Sequence, residues 1–154
     1  MTVETRLARL EAAAEIRALK MQYARLCDAG YPSDQLGPLF TEDAVWDGGE
    51  TFGIYEGNQA VRGFFDDCRN RIGWAMHYTV SGDIDVAPDA RAATARWYLW
   101  QPMTLEGRAV WLLATYKDEY QKDDSGTWQI SHLTLDVQAL TPIEEGWVQR
   151  RFLG

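Results

Sequence analysis

Two histidines, His77 and His132, are the only imidazoles in the chain, and imidazole is the side chain that most often acts as a general base near neutral pH. His77 lies in an alternating, strand-like segment between the small residues Ala75 and Thr79, which leave room for a ligand. Asp28 is predicted at the C-terminal end of a long helix, where the helix dipole disfavours an anion. An imidazole partner would explain a carboxylate there. We therefore predict an Asp28 oxygen about 2.6–3.2 Å from a His77 ring nitrogen; the alternative is a hydrogen-bonded structural histidine.

The sequence lacks the motifs of nucleotide-phosphate, metal and serine-nucleophile sites. It contains no Gly-x-Gly-x-x-Gly or Walker-type loop, no His-Glu-x-x-His helix and no calcium loop. Ser81 and Ser131 lie on predicted strands without the glycines of a nucleophile elbow. Cys27 and Cys68 have no Cys-x-x-Cys neighbour and no nearby histidine, so we interpret them as reduced core thiols. We expect neither a metal nor a cofactor.

The composition excludes several classes of partner. The 154 residues include 15 Lys and Arg against 23 Asp and Glu, and a net charge of −8 argues against nucleic acid and against anionic membranes. Seven Trp, seven Tyr and five Phe suit a large core or a pocket for a ring-shaped ligand. No stretch resembles a secretory signal or an apolar membrane span, so a cytoplasmic location is the default expectation.

The hydrophobic pattern predicts helices first and strands afterwards. Residues 3–29 form a helix whose apolar stripe includes Ile16, Leu19, Tyr23, Leu26 and Cys27, with Lys20 among the charged residues on the remaining surface. Ser33 caps a short helix that runs to residue 40, and Asn58 caps another that ends before Gly73. Short strands are predicted at 44–46 and 52–55, around the turn residues 47–49. From Trp74 onward a period of two predicts four long strands, at 74–87, 92–105, 108–122 and 127–140.

This order predicts an α+β fold, with the helices on one face of an antiparallel sheet. Four strands are longer than the usual five or six residues, so the sheet should be strongly curved or bulged. The chain has the length of one domain, with a core at about 10–142 and a tail at 143–154. On the strand that carries His77, the opposite face is apolar, which suggests a subunit interface; the alternative is a set of exposed aromatics. That face carries Trp74, Met76, Tyr78 and Val80, and Trp111 comes from a later strand.

Several motifs, in order, resemble one family over residues 10–142. They are Ile16-Arg17-Ala18-Leu19 through Tyr23 to Asp28-Ala29-Gly30, Leu39 through Trp46, Tyr55-Glu56-Gly57, Met76-His77-Tyr78, Tyr116 through Tyr120, and Gly126-Thr127-Trp128. Their order and spacing resemble the SnoaL-like branch of the nuclear transport factor 2-like superfamily, which includes dehydratases and a dehydrochlorinase.

The resemblance implies a curved antiparallel sheet wrapped around the long helix, forming a cone-shaped α+β barrel with a deep apolar pocket. In the similar dehydratases a histidine on the first long strand abstracts a proton, and an aspartate at the end of the first helix orients it. His77 and Asp28 match these two positions, and Tyr23 matches a polar residue five positions before the aspartate. The similar dehydratases are trimers, so the resemblance also implies a homo-oligomer, a trimer rather than a dimer.

The chain departs from the dehydratases in one strand. They carry a second acid or histidine there, whereas residues 96–101 contain neither. His132 could supply the missing donor, or could face solvent or an interface. Rings expected around one cavity beside His77, with at most one of the two adjacent phenylalanines fully facing the ligand, are those of Tyr23, Trp46, Phe64, Phe65, Tyr98, Trp100 and Tyr116.

These residues lead to two functional hypotheses. The first is a cofactor-independent lyase or isomerase acting on an apolar cyclic molecule such as a steroid, terpenoid or polyketide, with His77 as base, Asp28 as its orienting partner and Tyr23 as a donor to a substrate oxygen. The second is a non-catalytic binding module or the structural β subunit of a ring-hydroxylating dioxygenase, because the same fold serves these roles. An open cavity at a paired His77 favours the enzyme, and a filled one favours the structural subunit.

Overall fold

The computed structural model describes residues 1–154 except for the side chain of Ser81, so the interpretation of that serine lies outside the described residues. The helices are Val3–Asp28 (α1), Ser33–Leu36 (α2), Gly49–Phe52 (α3), Asn58–Arg71 (α4) and Gly146–Gln149 (α5), with a 3-10 turn at Gly37–Leu39. The strands are Phe40–Asp47 (β1), Ile54–Glu56 (β2), Ile72–Ala75 (β3), Tyr78–Val86 (β4), Ala92–Leu105 (β5), Arg108–Lys122 (β6) and Trp128–Pro142 (β7). The α+β fold class is confirmed.

The strands form a seven-stranded sheet in the order β2-β1-β7-β6-β5-β3, with β4 also paired to β5. Strands β3 and β4 therefore share β5 as a partner, one near each of its ends. The sheet is mixed rather than wholly antiparallel, because β1 runs parallel to β7. A parallel pair needs a long connection, and residues 48–127, about half of the chain, lie between these two strands. The outermost strands do not pair with each other, so the curved sheet stays open instead of closing into a barrel.

The predicted curvature is visible in the strand registers. Each of the pairings β4–β5 and β6–β7 shifts register along its length, and such bulges bend a strand and increase its twist. One shift falls between Val80 and Asp83, where the Trp97 ring lies so close to Gly82 that a Cβ at that position would overlap it. A glycine is therefore required where the wall of the cone turns.

Helix α1 lies on the concave side of the sheet. Its predicted stripe is buried at Ile16, Leu19, Tyr23 and Cys27. The placement of Lys20 on the polar surface is wrong, because its side chain is fully buried. Its position, four residues after Ile16 and three before Tyr23, puts it on the same helical face.

The two predicted capping residues act differently from expectation. Neither makes a side-chain cap bond to its helix: the N-cap positions are Pro32 for α2 and Gly57 for α4. The Asn58 amide instead donates to the carbonyls of Gly37, Phe40 and Thr41, 2.9–3.2 Å away. It thus ties α4 to the segment that leads into β1, which fixes the covering helix over the sheet.

The convex side of the sheet is aromatic, as the alternation predicts for Trp74 and Tyr78 but not for Tyr98 and Trp100. Trp74, Tyr78, Tyr98 and Trp100 are each more than half exposed, and Trp111 lies beside Trp100 at 6.1 Å between ring centroids. In the described part of the chain no helix is both long and apolar enough to cross a membrane.

Candidate active site

His77 lies at an interruption in the sheet, between the end of β3 and the start of β4. Its backbone N–H is therefore outside the strand ladder and donates to Asp28 Oδ1 at 2.9 Å. Its ring Nδ1 lies 2.6 Å from the same oxygen, within the predicted range. Because the carboxylate accepts from Nδ1–H, the second ring nitrogen, Nε2, is the one left to take a proton.

The end of α1 explains how Asp28 reaches His77. Asp28 is the last helical residue, and the next turn bends sharply: Gly30 has φ +94° and Tyr31 has φ +57°. A bulky residue in this left-handed region is uncommon and is held there by its surroundings. The Tyr31 ring stacks on Phe65 and meets the His77 ring edge to face, 6.2 Å between centroids. This turn places a carboxylate and a phenol on either side of the imidazole.

A narrow cavity opens beside His77. The volume open to the centres of water molecules is about 30 Å³, enough for a few waters but small beside the several hundred cubic ångströms of typical ligand pockets. Its walls are almost wholly apolar or aromatic. The lining residues are Tyr23, Tyr31, Trp46, Phe52, Phe64, Phe65, Cys68, Ile72, His77, Gln101, Met103, Leu112, Tyr116 and Leu135.

Five of the seven expected rings line this cavity together. Tyr23 and Trp46 are joined by a hydrogen bond in which Trp46 Nε1 donates to the Tyr23 hydroxyl at 3.2 Å. The ring of Phe64 lies 4.1 Å from that of Trp46, and Phe65 and Tyr116 pack around Tyr23. Both phenylalanines touch the cavity.

Tyr98, Trp100 and His132 do not line the cavity, so their expected place there is wrong. The register pairs Trp100 with Tyr78 and Tyr98 with Val80, both of which face outward. Directly opposed residues project to the same side of a sheet, so all four belong to the convex face. His132 lies opposite Glu119 on β6, also on the convex side, and so cannot supply a proton inside the cavity.

The sequence interpretation missed two polar cavity residues, Tyr31 and Gln101. Tyr31 follows the end of α1, and its side chain faces inward because its backbone is left-handed. The only sequence signal for this conformation is Gly30, the residue before it. Gln101 is three per cent exposed and lies on β5, where strict alternation from Leu99 and Met103 would have placed it inward.

Burial controls the ionisation of the cavity walls. Desolvation raises the pKa of Tyr23, Tyr31 and Tyr116 well above the usual phenol value. It likewise raises the pKa of the Cys68 thiol to about 12. These groups therefore stay protonated around neutral pH and act as hydrogen-bond donors rather than as anions.

Next to the Tyr116 ring lies a buried ion pair. Lys20 Nζ is 2.8 Å from Asp118 Oδ2, with both side chains at most one per cent exposed. The ammonium also lies 3.4 Å from the centroid of Tyr116, a cation–π contact, and the Tyr120 hydroxyl donates to the same carboxylate oxygen. Among the described side chains, no three His, Cys, Asp or Glu residues converge as a metal site would require.

Comparison with known proteins places these features in a known fold. Residues 8–134 match the sequence profile of the SnoaL-like domain. A protein from Novosphingobium aromaticivorans, provisionally described as an aromatic ring hydroxylase, is 26% identical and superposes with a TM-score of 0.79 over 86% of this chain and 94% of its own. No curated protein sequence matches the chain.

Two further solved structures share the fold at lower identity. The hexachlorocyclohexane dehydrochlorinase of type 3 from Novosphingobium barchaimii is 23% identical, with a TM-score of 0.77 over 89% of this chain and 93% of its own. A protein from Novosphingobium aromaticivorans, provisionally described as a scytalone dehydratase, is 21% identical, with a TM-score of 0.76 over 92% and 91%. At these identities the likeness concerns the fold.

Proposed function

The chain belongs to the SnoaL-like domain family, and we propose that it is a cofactor-independent lyase or isomerase that removes a proton from an apolar cyclic small molecule. The observation that carries this proposal is the hydrogen-bonded pair of Asp28 and His77 beside an apolar cavity. The narrow cavity favours a flat compound of one or two rings over a full steroid, and polyketide or terpenoid fragments have that shape.

In the proposed step, His77 Nε2 takes the proton and Asp28 stabilises the imidazolium that forms. The electron pair of the broken C–H bond stays on the substrate, either in a conjugated anion or, in an elimination, in a new double bond that forms as a leaving group on the neighbouring carbon departs with its bonding electrons. A positioned general base of this kind contributes about 10²- to 10⁴-fold to the rate. Asp28 already accepts two hydrogen bonds from His77, so the ring needs no reorientation before it reacts.

Tyr23 is the proposed donor to a substrate oxygen. Its hydroxyl oxygen accepts from Trp46 Nε1, so its own O–H is the group that would donate to the ligand. Because burial keeps this phenol protonated, it can stabilise negative charge that develops on an oxygen as the proton leaves.

The polar lining of the cavity narrows the reaction class. Apart from His77, its polar groups are phenols, a thiol and the Gln101 amide, and burial raises the pKa of these phenols and of the thiol. Departure of a hydroxyl group is aided by a strong acid, whereas an isomerisation returns the same proton from His77 to another carbon. We therefore favour isomerisation, or elimination of a group that leaves without protonation.

The second candidate function is a non-catalytic one, favoured by the small size of the cavity. The chain would then bind a ligand without reaction, or act as a structural subunit of a ring-hydroxylating oxygenase, the activity named in the description of the 26%-identical neighbour. Both roles would leave the Asp28–His77 bond as a structural link between α1 and the sheet.

Proton abstraction can be tested before a substrate is known. The full chain is incubated in D₂O with a panel of small ring compounds that carry activated C–H bonds, and deuterium uptake is followed by mass spectrometry. We expect uptake with at least one compound, and its loss by about 10²-fold or more in His77→Ala. The matched control is His132→Ala, which removes the other histidine from the convex face and should leave the rate unchanged.

Binding measured in parallel separates the two candidate functions. For an enzyme, His77→Ala keeps ligand affinity within about tenfold while exchange disappears, because a base acts mainly in the transition state. If compounds of the panel bind the wild type but none of them exchanges its hydrogen for deuterium, the result would favour the binding module instead.

We also propose that the chain functions as one domain and that its convex aromatic face is covered by further copies, as a trimer. Four aromatic residues there are more than half exposed, and contiguous apolar patches of this kind are rare on the solvent-exposed surface of a monomer. Light scattering should give three times the 17.5 kDa chain mass, and Trp74→Lys should lower it. A monomer mass for the wild type would refute the assembly. The cytoplasmic location and the lack of nucleic-acid and membrane partners stay predictions.

A further inference from the structure

Gln101 faces His77 across two neighbouring strands. The register that pairs Tyr78 with Trp100 and Ala75 with Met103 brings His77 opposite Gln101. Opposed residues have Cβ atoms about 4.5–5.5 Å apart and project to the same side of the sheet. Both side chains line the cavity, so a ligand that touches His77 also meets the Gln101 amide.

The amide is held by a weak partner. Gln101 Nε2 donates to Met103 Sδ at 3.2 Å, and no other hydrogen bond to this side chain occurs among the described residues. A thioether is a poor acceptor. The side chain is nevertheless three per cent exposed, and a buried polar group without a good partner is destabilising.

Gln101 stands out on an otherwise apolar face of β5. The other buried residues of this strand are Ala93, Ala95, Trp97, Leu99 and Met103. An apolar residue of similar size would continue this pattern without the desolvation cost. The single amide therefore lies in the cavity wall at a position where packing alone gives no reason for it.

We propose that Gln101 selects and orients the ligand by donating its amide hydrogen bond to an oxygen acceptor. On binding, the amide leaves the Met103 sulfur for a carbonyl-type oxygen, a far better acceptor. The ligand class is thus an apolar ring that carries a carbonyl, with the C–H bond facing His77 close to that oxygen. This rests on the proposed function only in taking the cavity as the ligand site.

Gln101 holds the oxygen without transferring a proton. A neutral amide has no proton to give in this pH range, so its role is positioning rather than acid catalysis. It complements Tyr23, a lining residue on α1 that is the second proposed donor. Two donors on different walls would fix the plane of a flat ligand relative to His77 Nε2.

The test compares two probes that differ in one oxygen, 1-indanone and indane. Equilibrium binding to the full chain is measured for the wild type and for Gln101→Met, which has similar length but no amide. We expect the affinity for 1-indanone to fall about 2- to 12-fold, the worth of one hydrogen bond, and the affinity for indane to change less than about twofold. Gln138→Met, on the exposed side of β7, is the matched control and should change neither.

A second readout follows the sulfur directly. With ¹³C-labelled methionine methyl groups, 1-indanone should shift the Met103 signal more than indane does, because only the ketone draws the amide away from Sδ. The Met103 signal is assigned with Met103→Leu. If Gln101→Met folds poorly by thermal unfolding, Gln101→Leu repeats the affinity comparison, and the methyl shift in the wild type does not depend on either variant.

The outcomes separate this inference from the enzyme proposal. Equal loss of affinity for both probes in Gln101→Met, or no binding of 1-indanone by the wild type, would overturn the role of Gln101. Absence of deuterium exchange with an intact preference for the ketone would instead overturn catalysis and leave Gln101 as a ligand-selecting residue. Deuterium exchange without a preference for the ketone would overturn the role of Gln101 and leave the proposed catalysis in place.

Discussion

Two of the pairs that connect α1 to the sheet, Asp28 with His77 and Lys20 with Asp118, differ in what surrounds them. Asp28 and His77 meet at the end of the helix, with the aspartate side chain 27% exposed and one imidazole nitrogen left for the cavity. Lys20 and Asp118 meet two turns earlier, with both side chains sealed. The same kind of contact is thus made once beside a cavity and once inside the core.

The degree of burial decides whether such a pair can hold the fold together or take part in chemistry. Burial lowers the pKa of Lys20, while the carboxylate of Asp118 raises it and so opposes that effect. A sealed pair of this kind fixes the position of the helix and strand, since breaking it leaves an uncompensated charge. The pair at the cavity has one committed nitrogen and one available nitrogen, which is the arrangement a base requires.

The sealed pair should show the largest effect on stability. Lys20→Met leaves the Asp118 carboxylate buried without its cation, which should lower the free energy of unfolding by about 3–5 kcal/mol in urea denaturation. Lys117→Met, on the exposed face of the same strand as Asp118, is the matched control. The double variant Lys20→Met/Asp118→Asn should recover much of the loss; equal instability of single and double variants would contradict this account.

The pair at the cavity should matter less to stability than to chemistry. Asp28→Ala leaves the His77 backbone N–H and Nδ1–H without an acceptor, at a cost of about 1–3 kcal/mol in unfolding free energy. Asp34→Ala, an exposed aspartate on α2, provides the baseline. A loss as large as that of Lys20→Met would mean that the two pairs do not differ in the way described.

The stability of the protein at alkaline pH should depend on the burial of Cys68 in the cavity wall. Burial raises the pKa of Cys68 to about 12. The unfolded chain therefore ionises this thiol first, so its contribution to stability is complete below pH ~9 and is lost as pH rises toward 12. Each such group contributes a slope of up to about 1.4 kcal/mol per pH unit. The free energy of unfolding, measured in urea between pH 9 and 11, should fall less steeply with pH in Cys68→Ala than in the wild type. Equal slopes in the two proteins would contradict the effect of burial on Cys68.

The smallest effect is expected on the convex face. Tyr98→Thr should change the affinity for 1-indanone by no more than about twofold, because the side chain points away from the cavity. Phe64→Ala, on the cavity side, should weaken the same binding clearly. Similar losses in both variants would place the ligand outside the cavity lined by Phe64.

The sequence predicted the fold class and the pair of Asp28 and His77 from local patterns. Helical spacing placed the aspartate at a helix end, and alternation placed the histidine on the inner face of its strand. The same alternation was misread on β5, where Tyr98 and Trp100 were expected to face the cavity. Trp97, Leu99 and Gln101 face inward, so Tyr98 and Trp100 had to face outward, but the register with β4 was needed to fix which set was which.

Lys20 shows where a residue type misleads. Its spacing from Ile16 and Tyr23 placed it on the buried stripe, but a lysine is almost never fully buried without a partner. That partner, Asp118, is 98 positions away in the chain. No local pattern carries information about a contact of that separation.

The sequence by itself therefore determined the fold class, most of the buried stripe of α1 and the chemistry available at His77, because these follow from local spacing and side-chain type. Only the tertiary structure decided the parallel pairing of β1 with β7, the burial of Lys20 against Asp118, the inward position of Tyr31 and the position of Gln101 opposite His77. Each of these depends on strand register or on one left-handed turn, and both are set by packing between residues far apart in the chain.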